Sequence, residues 1–253
     1  MFPLKDDVPS RRFPVVTLAI IVVNAVVFLF ELSLGSHLDE FLIRWGIVPA
    51  RYTVAETSQL FSLPEQALPF LSSMFLHGGW THLIGNMWTL WIFGDNVEDR
   101  LGRPRFILLY LLGGVIAALL HIYTNAHSVL PTIGASGAIA AVMGGYFRFY
   151  PLARVTMLIP PFFFGPFFVV PAVVFLGWWF ILQFFSGTLS LLANPNEVGG
   201  IAWWAHVGGF VFGALLCTVI KAKRFDEYHQ RDIFSWGRPI YPRESHLNLR
   251  SKS

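Results

Sequence analysis

The sequence is poor in charge and almost lacks cysteine. Only 13% of its 253 residues are charged and 55% are hydrophobic, against about 25% charged in soluble domains. A soluble fold would leave much of this apolar surface in water, so the composition excludes an ordinary soluble protein and indicates an integral membrane protein. It also excludes a disordered chain. The single cysteine, Cys217, excludes an intramolecular disulfide and a cysteine-based zinc site. The net charge of +3 gives no indication of nucleic-acid binding.

Long apolar runs without charge predict six membrane-spanning helices and therefore an all-α, polytopic fold. The predicted spans are residues 13–30, 81–93 with an extension back through 75, 106–122, 133–150, 162–185 and 198–220. They divide the chain into a short N-terminus (1–12), a membrane core (13–223) and a basic tail (224–253). No seventh span is predicted.

The distribution of Lys and Arg predicts the orientation of these spans. With the N-terminus in the cytoplasm, 16 of the 18 basic residues fall on the cytoplasmic side, as the positive-inside rule requires. Both termini are then cytoplasmic. The outer loop 34–69 is rich in aromatic and aliphatic residues, and we expect it to pack at the membrane interface.

Four polar side chains recur near the outer ends of alternate spans. They are His82 and Asn86 in the second span, Ser136 in the fourth and His206 in the sixth. Because these three spans all run inward from the outer side, the four side chains are predicted to lie at similar depth. Lipid offers no hydrogen bonds, so polar groups at this depth indicate function more strongly as a set than singly.

The residue types favour nucleophilic acyl transfer. A serine needs a base to take its proton, and a neutral imidazole is the usual base near pH 7. The small residues Gly137, Gly209 and Gly213 allow the fourth and sixth spans to pack closely, which would bring His206 to Ser136. The side chains of His82 and Asn86 and the Ser136 backbone N–H are candidate oxyanion donors. No Asp or Glu lies in the outer half of a predicted span, so a Ser–His dyad is predicted.

Three segments resemble the motifs of the rhomboid intramembrane serine proteases. They are residues 77–86 (HGGWTHLIGN), 134–137 (GASG) and 205–213 (AHVGGFVFG), on the second, fourth and sixth spans in the family's order. The resemblance covers about residues 13–223. It implies the six-helix bacterial form of this family.

The resemblance also implies roles for individual residues. Ser136 would be the nucleophile and His206 the base, with His82 and Asn86 at the oxyanion. Supporting structural roles would fall to Gly134, Gly137, Gly209, Gly213 and Glu98, the last as a hydrogen-bond acceptor near Arg100 and Arg103. The implied activity needs no cofactor or metal. It is cleavage of transmembrane helices of single-span membrane proteins near the outer surface of the bacterial cell membrane.

Two positions depart from the pattern of some family members. Ala140 stands where an aromatic ring can stack on the catalytic histidine, so His206 must be oriented by other contacts. The outer loop carries Arg44-Trp45 in place of a Trp-Arg pair. The aromatic fifth span could act as a lateral gate or simply face lipid, and the loop 186–200 could cap the site.

Other functions fit the sequence less well. Taken alone, Gly-x-Ser-Gly is more simply explained by packing. His82 and Asn86 alone fit interhelical hydrogen bonds as well as function, and a single membrane histidine favours function only moderately. A non-catalytic rhomboid-like protein that binds membrane helices would be expected to lack Ser136 or His206. A transporter would be expected to show charged midplane sites or inverted repeats. A metalloprotease would carry His-Glu-x-x-His, which is missing from the sequence.

Overall fold

The protein is a bundle of long helices, with shorter helices and a small sheet at its margins. A computed structural model describes residues 2–158, 167–191 and 202–220. The long helices are α1 (Val15–Ser33), α7 (Trp80–Leu101), α8 (Arg103–Thr124), α9 (Ser136–Phe149), α10 (Ala172–Ser190) and α11 (Trp203–Val219). Between α1 and α7 lie α2 (Leu38–Trp45), α3 (Ala50–Thr53), α4 (Ala55–Ser58), α5 (Leu63–Ala67) and α6 (Pro69–Ser72), with 3-10 turns at Gly35–His37 and Ser73–Phe75.

The all-α, polytopic fold is confirmed. Helices α1, α8 and α10 are long and apolar enough to cross a membrane, and α11 is apolar but shorter, with 17 residues. Helix α9 has 14 residues, and α7 carries several charges near its end. The total of six crossings therefore stays a prediction.

The second and fifth predicted spans differ most from the helices in the structure. The second was expected to extend back through residue 75, but α7 begins at Trp80 and runs on to Leu101. Gly78 and Gly79 precede the helix, and Gly79 has a φ of +157° as its N-cap. The fifth span was expected over residues 162–185. Residues 162–166 lie outside the described residues, Phe167–Pro171 form a strand, and α10 begins only after Pro171.

Glycines bring the backbones of α9 and α11 into contact. A Cβ on Gly209 would lie 2.1 Å from the Gly137 carbonyl oxygen, and one on Gly213 would lie 1.9 Å from the Ala141 carbonyl oxygen. A side chain at either position would push the helices apart. Small residues at membrane-helix interfaces permit this approach, and it fixes how the N-termini of α9 and α11 face each other.

A three-stranded antiparallel sheet, β1-β2-β3, was not predicted. Its strands are β1 (Phe2–Asp6), β2 (Arg154–Leu158) and β3 (Phe167–Pro171). Pro3 pairs with Met157, and the Trp88 indole donates to the Pro3 carbonyl at 2.7 Å. The side chain of Asp6 meets Asn96, eight residues further along α7. Since α7 rises about 1.5 Å per residue, β1 follows this helix for roughly 12 Å.

The bundle has two ends that differ in character. The site end is where α7, α9 and α11 begin, at Trp80, Ser136 and Trp203. The sheet end is where α7 finishes and α1 starts, next to Asp6 and its strand.

Candidate active site

The first residue of α9 and the fourth residue of α11 meet at the site end. His206 Nε2 lies 2.8 Å from Ser136 Oγ, a hydrogen-bond distance. Both residues are half-buried. The close glycine packing of α9 against α11 places them there, since a wider helix separation would carry the imidazole out of reach of the hydroxyl. Ser136 also stands at the helix N-terminus, where backbone N–H groups have no partner within the helix.

His82 and Asn86 project from one face of α7 toward the loop that precedes Ser136. A Cβ built on Gly134 would lie 2.7 Å from His82 Nε2 and 3.7 Å from Asn86 Nδ2. Asn86 is buried, and its Nδ2 has no hydrogen-bond partner within the described parts of the chain. The four predicted site residues are thus gathered around one short loop, with an amide donor directed into it.

Gly134 is required in that loop for two reasons. Its φ is +123°, which L side chains rarely adopt, and a Cβ at this position would collide with the His82 ring. The Gly134 N–H donates to the Ser73 carbonyl at 2.8 Å, which anchors the loop to the turn before α7. The Gly78 N–H points at His82 Nδ1 at 3.4 Å. This long contact favours the tautomer in which His82 Nε2 carries the proton toward the loop.

A buried carboxylate near the site was missed by the sequence analysis. Glu31 lies in α1, one residue beyond the predicted end of the first span, and is 1% exposed. Both of its oxygens lie 3.2 Å from the His77 backbone N–H. The His77 ring packs edge-on against His82 at 5.0 Å between centroids. Glu31 therefore supports the segment before α7, through His77 and not through His206.

Gln183 on α10 is a second residue that the sequence analysis missed. Its Oε1 lies 2.8 Å from His206 Nδ1, and the residue is buried. Trp179, one turn earlier, places its ring 5.9 Å from the His206 ring at an angle of 35°. These two contacts take the place of the ring that Ala140 does not supply. The only sequence signal was a lone amide in an aromatic run.

Glu98 lies at the sheet end, far along α7 from the site. Its carboxylate accepts the backbone N–H groups of Val16 and Thr17 at 3.0 and 2.8 Å, and the Thr17 hydroxyl at 2.9 Å. Arg103 Nε lies 3.9 Å away. The carboxylate thereby satisfies first-turn donors of α1 and complements that helix dipole.

A family model described as "Rhomboid domain" matches residues 64–223. This interval includes all three motif segments and every residue of the Ser136–His206 arrangement. The chain belongs to the rhomboid family. It is an integral, multi-pass membrane protein, in keeping with that family and with its apolar helices.

Several relatives share this rhomboid region. The chain is 30% identical over 198 residues to "Rhomboid protease GluP" of Bacillus subtilis, covering 78% of this chain and 34% of that protein. It is 31% identical over 157 residues to zebrafish "Presenilin-associated rhomboid-like protein A, mitochondrial", covering 58% and 36%. It is 27% identical over 175 residues to yeast "Rhomboid protein 1, mitochondrial", covering 68% and 46%. This rhomboid chain spans about a third to a half of the length of these relatives.

The rhomboid site is built from serine, histidine and amide groups. Within residues 2–158, 167–191 and 202–220, no three His, Cys, Asp or Glu side chains are grouped so as to hold a metal ion. The rings of His77 and His82 are neighbours, and the Glu31 carboxylate accepts the His77 backbone N–H. The arrangement therefore holds an imidazole in hydrogen-bond contact with a serine hydroxyl, with hydrogen-bond donors nearby.

Proposed function

We propose that this rhomboid is an intramembrane serine endopeptidase that cleaves transmembrane helices of single-span membrane proteins. The observation that carries the proposal is the 2.8 Å contact between His206 Nε2 and Ser136 Oγ. A hydroxyl hydrogen-bonded to an imidazole nitrogen is the arrangement that activates serine as a nucleophile.

The first half of the reaction forms an acyl-enzyme. Ser136 Oγ attacks the carbonyl carbon of the scissile peptide while its proton passes to His206 Nε2. The tetrahedral oxyanion then accepts hydrogen bonds from Asn86 Nδ2, from His82 Nε2 and from the Ser136 backbone N–H at the α9 N-terminus. The C–N bond breaks as the His206 imidazolium gives its proton to the departing amine.

The second half restores the enzyme. A water molecule attacks the acyl carbon, and its proton passes to His206. The C–Oγ bond breaks, the peptide leaves as a carboxylic acid, and Ser136 Oγ regains its proton from the imidazolium. Half-burial of Ser136 and His206 supports this step, because water must reach both groups.

Other residues hold this geometry without taking part in the chemistry. Gly137, Gly209 and Gly213 permit the helix approach, Gly134 shapes the loop, and Glu98 secures α1 against α7. In the bacterial cell membrane, with both termini in the cytoplasm, the site end would lie near the outer surface. The distribution of Lys and Arg along the sequence supports that orientation.

The proposal is tested with the purified full chain in detergent and in liposomes. A fluorophosphonate probe should label the wild type, and a single-span substrate should be cut within or beside its helix. Ser136→Ala should lose both activities. Ser33→Ala is the matched control, since the Ser33 hydroxyl is exposed and bonds only within its own helix, to the Phe30 carbonyl. Folded wild-type protein that is neither labelled nor active would overturn the proposal in favour of a non-catalytic, helix-binding rhomboid.

A further inference from the structure

We infer that Gln183 is a positioning residue that sets the tautomer of His206 and couples it to the docking of α10. This inference rests on the proposed function. It assigns to a neutral amide on α10 the orienting task that a carboxylate performs in Ser-His-Asp proteases. Gln183 does not touch the reacting atoms.

The hydrogen bonds on the two ring nitrogens fix the direction of proton transfer. An amide oxygen can only accept, so Gln183 Oε1 at 2.8 Å requires that His206 Nδ1 carry a proton. In the neutral ring, Nε2 is then the free acceptor, and it lies 2.8 Å from Ser136 Oγ. The opposite tautomer would leave Gln183 Oε1 without a donor and would place a proton on the nitrogen that must accept one.

An amide suits this location better than a carboxylate. Gln183 is 7% exposed and lies in a helix without any charged residue. A buried carboxylate there would have to be desolvated, whereas an amide is removed from water at lower cost. When His206 becomes an imidazolium, the amide dipole still faces the Nδ1 proton and stabilises the new charge. Such bonds to charged groups are stronger than bonds between neutral groups.

The position of Gln183 depends on how α10 docks on α11. The buried residues of α10 lie along one face of the helix: Ala172, Leu176, Gln183 and Gly187. One turn beyond Gln183, the Trp204 indole donates to the Gly187 carbonyl at 3.0 Å. A Cβ on Gly187 would lie 3.1 to 3.2 Å from atoms of Trp203 and Trp204. These contacts hold the register of α10 beside His206. Movement of α10 away from α11 would therefore break the bond between Gln183 and His206 that selects the tautomer.

The test compares Gln183→Met with Gln183→Glu. Methionine has a similar shape but lacks a comparable acceptor, whereas glutamate restores an acceptor oxygen at the same distance. We expect Gln183→Met to lower kcat and the rate of fluorophosphonate labelling by about 10- to 100-fold with KM unchanged, the range of a hydrogen bond to a charged group. Gln183→Glu should recover to within about 10-fold of the wild type.

A second readout reports the tautomer directly. The ¹⁵N shifts of His206 should indicate one Nδ1-protonated form in the wild type and a mixture in Gln183→Met. Thr188→Val is the control for loss of a polar group from α10, because the Thr188 hydroxyl is exposed and bonds only to the Phe184 carbonyl. It should leave the rate and the shifts unchanged.

The outcomes separate this inference from the proposed function. Wild type that labels through Ser136, together with an equally active and single-tautomer Gln183→Met, would overturn the role of Gln183 and leave the protease intact. Folded wild type that neither labels nor cleaves a substrate would overturn the function itself. If Gln183→Met fails to fold, Gln183→Asn gives the same test. Asparagine is one methylene shorter, so its amide oxygen cannot reach His206 Nδ1 in the same way. Full activity in that variant would equally refute the inference.

Discussion

The site end and the sheet end both bury polar side chains, but they satisfy them differently. At the sheet end, the Glu98 carboxylate accepts three hydrogen bonds, and Asp6 accepts from Asn96 and from the Tyr146 hydroxyl. At the site end, Asn86 Nδ2 and both His77 ring nitrogens have no partner within the described residues. A buried polar group without a partner is costly. The bonded carboxylates of Glu98 and Asp6 hold α1 and β1 in place, whereas the unpaired Asn86 amide is the donor that the proposed reaction would use.

The dyad variants should give the largest effect at the site end. Ser136→Ala and His206→Ala should each abolish peptide cleavage, and the double variant should be no worse than either single one, because the two groups act as a unit. Single-turnover cleavage with enzyme in excess measures all three. If the double variant lost the product of the two single-variant rate losses, the two residues would act independently, and a shared proton transfer would be contradicted.

Asn86→Ala tests whether an unsatisfied donor at the site end is chemical or structural. Removing one oxyanion donor typically lowers the rate by about 100- to 1,000-fold. We expect that loss in turnover with little change in melting temperature, because Asn86 Nδ2 has no partner to lose in the free protein. Normal turnover by this variant would show that Asn86 has no part in the chemistry and serves only in packing.

Glu98→Gln should give the opposite result at the sheet end. An amide keeps one acceptor but turns an N–H toward the donors of α1, so we expect a loss of about 1–3 kcal/mol in stability. Turnover per folded molecule should not change. Glu65→Gln is the control, since the exposed Glu65 carboxylate also accepts bonds, from Ser62. Thermal unfolding in detergent should show a clearly larger shift for Glu98→Gln, and equal shifts would contradict the comparison.

Asp6→Asn tests a smaller, pH-dependent effect at the sheet end. Burial raises the pKa of Asp6 from 3.8 to about 7, assisted by Asp95 and Asp7 and opposed by the Tyr146 hydroxyl. The folded form therefore holds the proton more tightly than the unfolded form. Docking of β1 should be firmest near pH 4 and should weaken as the pH rises through 7.

The measurement for Asp6 is hydrogen exchange of the β1 amides from pH 4 to pH 8, corrected for intrinsic exchange rates. Asp6→Asn should flatten the residual pH dependence, because asparagine does not titrate. As a control, Asp39→Asn, at an exposed position of α2, should leave the pH dependence of β1 exchange as in the wild type. An unchanged profile in Asp6→Asn would show that another group controls the strand.

The sequence predicted much of the site because its signals are local. His82 and Asn86 are one helical turn apart, and the glycines beside Ser136 and His206 lie within a few residues of them. Their joint placement at one depth followed from the order of the spans. The assignment of chemical roles to these residues stays a prediction.

What the sequence did not predict depends on long-range contacts. Strand β1 pairs with residues about 150 positions away, and nothing in Phe2–Asp6 indicates that partner. Gln183 acquires a role only from the register of α10 against α11. Glu31 fell outside the first span because its charge ended the apolar run, although the helix continues to Ser33.

The pairing of β1 with β2 sets an order of events during biosynthesis. Strand β1 is made before its partner, since Arg154–Leu158 follow some 150 residues later. At about 5–20 residues per second, the ribosome needs roughly 8–30 s to supply them. Until then the β1 backbone has no strand partner and α1 can already be in the bilayer. The finished sheet therefore joins two parts of the nascent chain that are made many seconds apart, and its closure marks the arrival of the segment leading into α10.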